Sequence, residues 1–488
     1  MPCAMSEPMR LWASRSLPSI AVALAVLLSG CATRPPQVLT SQLVPKHFVG
    51  SSPKKGRIWP RASWWQRFGS PELSKLIVLA QRDNRTLVAA TATVKEAMAE
   101  VTIQRSAIFP SITAQANAQR VGAESGAFST IGQPIGVTTN AFSLNGNVSY
   151  DLDIWGLARD NLRSAEEAVK SDRFARRAAA LSVTADVADA YFEILALRQE
   201  IAITREDITA IGGIVDIVKV KVKAGTVSHL DLAQEQAQAA SVLAQLPVLR
   251  QQEIAQHAAL AVQVGISPEL LHLGTGNATT LRLPAVRPGL PSALLLRRPD
   301  VAEAEANLAA AHANLQAARA AFLPQFSLSG SSGFSSVAAN ALLHGPSFLW
   351  DAGAQLVQTI FDGGKLIGQK DLAFATQDKL VADYENAVLQ AYADVETALG
   401  RVSTDEQEEH NLQDEVAAAR EAFRIGELQY REGTAGLLTV LQTQETLFSA
   451  RNQLVQVRLA RMQAVVQLFV ALGGGWKEPS RDRTQFVH

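Results

Sequence analysis

The stretch KAGTVSHLDLAQEQAQAASVLAQL (residues 223–246) aligns without a gap on REGTAGLLTVLQTQETLFSARNQL (431–454). Gly225 falls on Gly433, Thr226 on Thr434, Leu230 on Leu438, Gln234 on Gln442 and Leu246 on Leu454, an offset of 208 (433 − 225). The same offset carries Gly156 onto Gly364, Asp186 onto Asp394, Val187 onto Val395 and Gly265 onto Gly473. Upstream, RSAIFPSITAQ (105–115) answers RAAFLPQFSLS (319–329) at an offset of 214 (324 − 110), so the copies differ by a small indel. A duplicated chain must fold as two copies of one plan, a stronger constraint than its length. Gly433 interrupts an otherwise continuous amphipathic pattern and has a twin in Gly225. A hairpin turn explains such a recurrence; a tolerated helix defect does not.

Each copy has the same internal order. A helical stretch (71–108; 299–321) ends at Pro110 or Pro324, which cannot continue a helix. Alternating segments follow, clearest in AFSLNGNVSYDLDIW (141–155). There Phe142, Leu144, Val148, Tyr150, Leu152 and Ile154 share one face and Ser143, Asn145, Asn147, Ser149, Asp151 and Asp153 the other, the pattern of a strand between water and an apolar medium. PSITAQANAQ (110–119) and PQFSLSGSSG (324–333) are weaker versions, and SFLWDAGAQLVQTIF (347–361) loses its alternation after Leu356. Loops are expected at about 120–140 and 331–346. Two long helical runs come next, 156–224 and 364–432, each about 100 Å if unbroken. Shorter helices follow the Gly-Thr breaks (226–264; 434–472). Leu441, Phe448, Val455, Met462 and Phe469 recur every seventh residue in the last; the first copy has Ala233, Ala240, Ile254 and Ala261 there, and Pro247, which is expected to kink its helix. Pro299-Asp300 opens a helix with proline in the first turn and an acid at the positive dipole end.

The first residues address the chain. Arg10 and Arg15 precede the apolar run 17–28, and Leu28-Ser29-Gly30-Cys31 resembles a bacterial lipobox. That motif implies cleavage before Cys31, which then carries an S-diacylglycerol and an N-acyl chain; Ala32 favours sorting to the outer membrane. Cys3 leaves with the signal, so the mature chain has no thiol for a disulfide, a nucleophile or zinc. A net charge of −1 on 488 residues argues against a nucleic-acid partner. The eight histidines are scattered, and no His-x-x-x-His, Cys-x-x-Cys, G-x-S-x-G or Walker pattern occurs, so neither a metal site, an enzyme nor a nucleotide-driven motor is expected.

Four strands with an apolar outer face cannot stand in a bilayer as an open sheet, because their edge N–H and C=O groups would go unpaired. Other chains must complete a barrel; three give twelve strands and room for a lumen, two give eight and a filled interior. With LLLRRPDVAEAEANLAAAHANLQAARAAFLPQFSLSG (294–330), IFDGGK (360–365), YREGTAGLLTVL (430–441) and LFVALGGGW (468–476), the chain resembles the TolC/NodT-type outer-membrane efflux proteins, in their lipoprotein branch. The resemblance covers nearly everything after residue 60.

The resemblance implies a mixed, mostly α fold: a duplicated outer membrane factor with four transmembrane β-strands per protomer in a 12-stranded trimeric barrel, continued by a long periplasmic α-helical barrel. It implies a homotrimer that conducts small molecules passively from an inner-membrane pump, of the proton-driven kind, and a periplasmic adaptor. The corresponding division is signal peptide 1–30, anchor and linker 31–70, first repeat 71–264, connector 265–298, second repeat 299–475 and tail 476–488. Docking of the adaptor falls on Gly225, Thr226, Gly433 and Thr434, with threonine capping the returning helix. The periplasmic gate falls on Asp231 as an acid, Tyr430 as a linking tyrosine and Leu438 as an apolar plug. Thr439 and Gln442 stand where several relatives carry aspartates, which implies a weaker cation preference and a gate less easily locked by divalent ions. No cofactor besides the lipid on Cys31 is expected. A duct for ATP-driven protein secretion and a non-channel coiled-coil lipoprotein remain as alternatives.

Overall fold

The computed structural model describes residues 61–125, 135–276, 281–285 and 297–475; the signal segment, Cys31, parts of the linker and connector, and the tail lie outside the described residues. A 3₁₀ turn (Trp64–Phe68) leads into α1 (Pro71–Asp83) and α2 (Arg85–Ser106). Strands β1 (Ser111–Ser125) and β2 (Ile135–Leu152), the long helix α3 (Leu157–Lys223) and α4 (His229–Val264) complete the first copy. The second runs α5 (Pro299–Ala320), β3 (Gln325–Ser336), β4 (Phe348–Val357), α6 (Lys365–Glu432) and α7 (Leu437–Ala471). Helices α3 and α6 hold 67 and 68 residues, about 100 Å each.

The two offsets in the sequence meet in one structural device. Gly265 and Gly473, 208 residues apart, follow the ends of α4 and α7 with φ of +88° and +81°. A Cβ on Gly265 would lie 2.3 Å from the Asp83 carbonyl oxygen, and one on Gly473 2.1 Å from that of Arg297. Just beyond those carbonyls stand the N-caps of α2 and α5, Asn84 and Arg298, 214 residues apart. Asn84 Nδ2 donates to Gln263 O at 2.6 Å, and Arg298 Nη1 to Ala471 O at 3.4 Å, again a twin pair of acceptors. Arg298 also grips Asp300 (Nη2–Oδ2 2.6 Å) and Asp394 of α6 (Nη1–Oδ2 2.8 Å). Each repeat is thus closed on itself at the same point, where only glycine permits the backbone approach.

The largest core cluster lies where α3, α7 and the 3₁₀ turn meet. Trp64 stacks on Phe469 at 4.9 Å between ring centroids, and Phe68 lies 4.9 Å from Phe192. The end of the expected linker is therefore core, because Trp64, Trp65 and Phe68 supply apolar area that α3 and α7 leave open. The helices pack side by side in the order α2, α3, α5, α6, with α4 against α3 and α7 against α6. Helix α5 is sandwiched and buries Val301, Leu308 and Leu315; its counterpart α2 buries only Leu87 and leaves Val88, Met98 and Ile103 exposed. At the other flank α6 leaves Ile367, Leu372 and Phe374 exposed.

The strands form one antiparallel sheet in the order β1-β2-β3-β4. Its register pairs like with like: Val148 with Ile112, Asn147 with Thr113, Tyr150 with Leu328, Ser149 with Ser329. The sheet has one apolar face, which includes Ile112, Leu328, Phe334, Phe348 and Trp350, and one face rich in Ser, Thr, Asn, Gln and Asp. Every residue of the edge strand β4 is exposed.

Several expectations need correction. The stretch 71–108 is two helices, because Asn84 leaves helical geometry (ψ 127°) and its Oδ1 caps α2 through the N–H groups of Thr86 and Leu87. The loops expected at 120–140 and 331–346 are shorter, since pairing carries β1 to Ser125, starts β2 at Ile135 and carries β3 to Ser336. Ile154 and Asp153 lie past the end of β2, where Asp153 Oδ2 accepts from the Arg159 N–H at 2.9 Å to start α3. Helix α4 continues across Pro247. Of its smaller residues at the seven-residue positions only Ala261 is buried, and Ala233, Ala240 and Ile254 are exposed, whereas Phe448, Val455, Met462 and Phe469 of α7 are buried and Leu441 is half-buried. Seven-residue spacing became a seam only in the copy with side chains large enough to fill it.

Candidate gate at the hairpin tips

The turns from α3 to α4 and from α6 to α7 are built alike. Gly225 and Gly433 take φ of +72° and +79° with open space around the missing Cβ, so glycine is needed for the turn and not for packing. The Thr226 N–H and Oγ1–H both donate to Lys221 O at 3.0 Å; Thr434 does the same to Gln429 O at 2.9 and 3.1 Å. The threonines therefore cap the helix that ends. The expectation that they cap the returning helix is overturned by turn geometry, which points each side chain back along α3 or α6. The returning helix α4 has its own cap: Ser228 Oγ accepts from the Asp231 N–H at 3.2 Å, and Asp231 Oδ2 accepts from the Ser228 N–H at 2.9 Å. Helix α7 starts at Gly436 without a side-chain cap.

The expected gate residues divide into two groups. Leu438, 65% exposed, shares the outer side of α7 with Thr439 and Gln442, which are also exposed. Leu230, the twin of Leu438, is 64% exposed at the start of α4 beside the half-buried Asp231. Tyr430 points the other way. It is 2% exposed among Ile214, Val218, Leu437 and Val440, with Lys221 Nζ 5.0 Å from its ring centroid. Within one chain its hydroxyl has no hydrogen-bond partner, so it makes no link there. Burial pushes its phenol pKa up, and the carboxylates of Asp231 and Glu235 add to that.

Two residues that the pattern left unmarked are Glu235 and Gln444. Both are fully buried, and neither the Glu235 carboxylate nor the Gln444 amide has a partner. Glu235 follows Leu232 by one turn of α4, and Gln444 follows Val440 by one turn of α7. Those apolar residues belong to the tip cluster with Tyr430, while Val242, Leu447 and Phe448, farther along, belong to the next cluster. The two polar groups thus interrupt the apolar interior between the clusters. Burial pushes the Glu235 carboxyl up to about 7. The signal was an acid at an interior position (232, 235, 239, 242), visible only once the phase of α4 is known. No group of metal-ligating residues occurs among the described residues.

A duplicated frame of helix, strand pair, long helix and hairpin-linked helix, with its one amphipathic sheet, is matched as a whole. Residues 76–265 and 290–474 fit the family Outer membrane efflux protein. The chain belongs to the outer membrane efflux protein family. The two matched segments overlap the two copies seen in the sequence. The chain is 34% identical over 458 residues to the pyoverdine export outer membrane protein OpmQ of Pseudomonas aeruginosa, covering 93% of this chain and 96% of that one. It is 31% identical over 499 residues to the toluene efflux pump outer membrane protein TtgC of Pseudomonas putida, with 97% and 98% covered. The open state of the Neisseria gonorrhoeae MtrE outer membrane channel superposes with a TM-score of 0.82, at 27% identity over 91% of this chain and 98% of that one. As a family member the chain is an outer-membrane efflux channel, not an enzyme, and its fold is the duplicated, mostly helical one expected.

Proposed function

We propose that three copies form a water-filled exit duct for small molecules, with a 12-stranded barrel in the outer membrane and a helical tube reaching into the periplasm. The observation that carries this reading is the open sheet: four strands, apolar on one face and polar on the other, with the edges of β1 and β4 free. In lipid those edges must pair, and β4 of one copy against β1 of the next closes the ring without a new kind of contact. The helices repeat the same logic. Inside a chain α5 fills the place between α3 and α6, and the exposed apolar sides of α2 and α6 leave one equivalent place, between the α6 of one copy and the α3 of the next, for an α2.

Leu438, Thr439 and Gln442, with Asp231, form the constriction in this reading. Tyr430 fixes the hairpin from inside. Gly225, Thr226, Gly433 and Thr434 present the turns to a periplasmic adaptor, which links the duct to a proton-driven inner-membrane pump. Adaptor binding shifts the hairpins toward an open iris. Cys31 carries the acyl chains that hold the tube to the membrane. The relatives named for pyoverdine, toluene and antibiotic export support a small-molecule cargo over a polypeptide one.

Cross-linking in detergent tests the assembly: cysteine pairs joining β4 to β1 are expected to give a covalent trimer, and a dimer or monomer would overturn it. Leu438→Ser is expected to raise the closed-state conductance in a planar bilayer; an unchanged value removes Leu438 from the constriction. Cys31→Ser is expected to lose the lipid mass adduct, and an adduct that persists overturns the anchor.

A further inference from the structure

The membrane-spanning sheet carries an unusual charge pattern. Between Pro110 and Asp153 and between Pro324 and Phe361 the sequence contains five Asp, Glu, Lys or Arg residues: Arg120, Glu124, Asp151, Asp153 and Asp351. The register sorts them. Arg120 pairs with Asn140, an even-numbered position on the apolar face toward the loop end of the sheet, and the backbone of Glu124 pairs with that of Gly136 beyond it. Asp151 pairs with Ser327, and Asp351 with Ser331, on the polar face. Both aspartates are exposed, and the Ser331 hydroxyl donates to the Asp351 carboxylate. Asp153, just past β2, is held by Arg159 Nε at 3.0 Å. Among the described side chains, the polar face of the strands therefore carries two carboxylates per chain and no Lys or Arg.

We propose that Asp151 and Asp351 make the barrel itself a cation-selecting, anion-rejecting filter, separate from the periplasmic constriction. This deepens the duct reading and rests on it. With three copies, each aspartate becomes a ring of like charges facing the axis, as in pores that select by rings of side chains. Asp351 pairs through Ser331 to the level of Asn147, four residues along β2 from Asp151, so the rings stand roughly 13 Å apart along the strand. That exceeds the Debye length of about 8 Å at physiological salt, so the rings act in series on a passing solute. Anionic cargo meets two barriers where neutral or cationic cargo meets none.

Reversal potentials of the purified full-length protein in planar bilayers under a KCl gradient test this. The wild type is expected to favour K⁺ over Cl⁻ by about tenfold at low salt, and Asp151→Asn with Asp351→Asn to bring the ratio to about one. A second variant guards against misfolding. Cys3 and Cys31 are the chain's two cysteines, so Asp351→Cys adds a thiol at a known place. In one membrane, a sulfonate-bearing thiosulfonate reagent is expected to restore cation preference and a trimethylammonium-bearing one to reverse it, with neither acting on the wild type. A conducting wild type with a ratio near one, or labels without effect, overturns the filter and leaves the duct standing. A wild type that passes no current overturns the duct, and the filter with it.

Discussion

Replacing Gly473 by alanine is expected to cost the fold about 3 kcal/mol, most of it from backbone overlap. The new Cβ would lie 2.1 Å from Arg297 O, and φ is +81°, where an L side chain is strained. Neither obstacle is a flexible side chain that could move aside. The carbonyl belongs to the residue before Arg298, so relief must shift the start of α5 and the Arg298 contacts to Asp394 and Ala471. Gly265→Ala should behave alike, because its Cβ meets Asp83 O at 2.3 Å. Thermal unfolding followed by circular dichroism is expected to show both variants several degrees below the wild type. Gly213→Ala, in α3 with open space around it, should be neutral or slightly stabilising. Equal loss in all three would remove the close-approach explanation.

The second large effect concerns Glu235. In the packed tip its carboxyl sits at about 7, against an ordinary value of 4.5 when hydrated. The packed arrangement binds the proton more tightly, so its advantage is complete below about pH 4.5 and is lost as pH rises through 7, levelling beyond. The span corresponds to about 3 kcal/mol. Around this acid, α4 contributes Asp231 one turn away, α6 the Tyr430 phenol, α7 the uncharged Gln444 and α3 the Lys221 ammonium over the Tyr430 ring. Burial is what raises the Glu235 carboxyl. Hydrogen-exchange protection across residues 228–244, corrected for intrinsic rates, is expected to fall between pH 5 and pH 7 (about the window named above). Glu235→Leu should abolish that dependence and raise protection throughout, because a buried group without a partner is removed. The same pH profile in the variant would exclude Glu235 as its source.

These two sites differ in how far they could be read beforehand. Gly473 was marked by its alignment with Gly265, because a repeated glycine signals a backbone requirement in both copies. What it touches was not visible, since Arg297 is far away in the chain. Glu235 was invisible for another reason. An acid in an amphipathic helix faces water or core according to the rotation of that helix against its neighbours, and the periodicity of α4 is too weak to fix it. Tyr430 shows the same limit: resemblance marked the position, but packing turned its hydroxyl inward.

The linear chain alone determined the duplication, the two long helices, the four strands with their alternating faces and the glycine turns. All of these depend on neighbours a few residues apart, through side-chain period, backbone freedom and proline. Tertiary structure alone decided the strand order and register, the insertion of Trp64 and Phe68 into the core, the twin junctions at Asn84 and Arg298, and which polar side chains are shut away from water. Those depend on surfaces brought together from distant parts of the chain, where small differences in side-chain volume choose the packing phase.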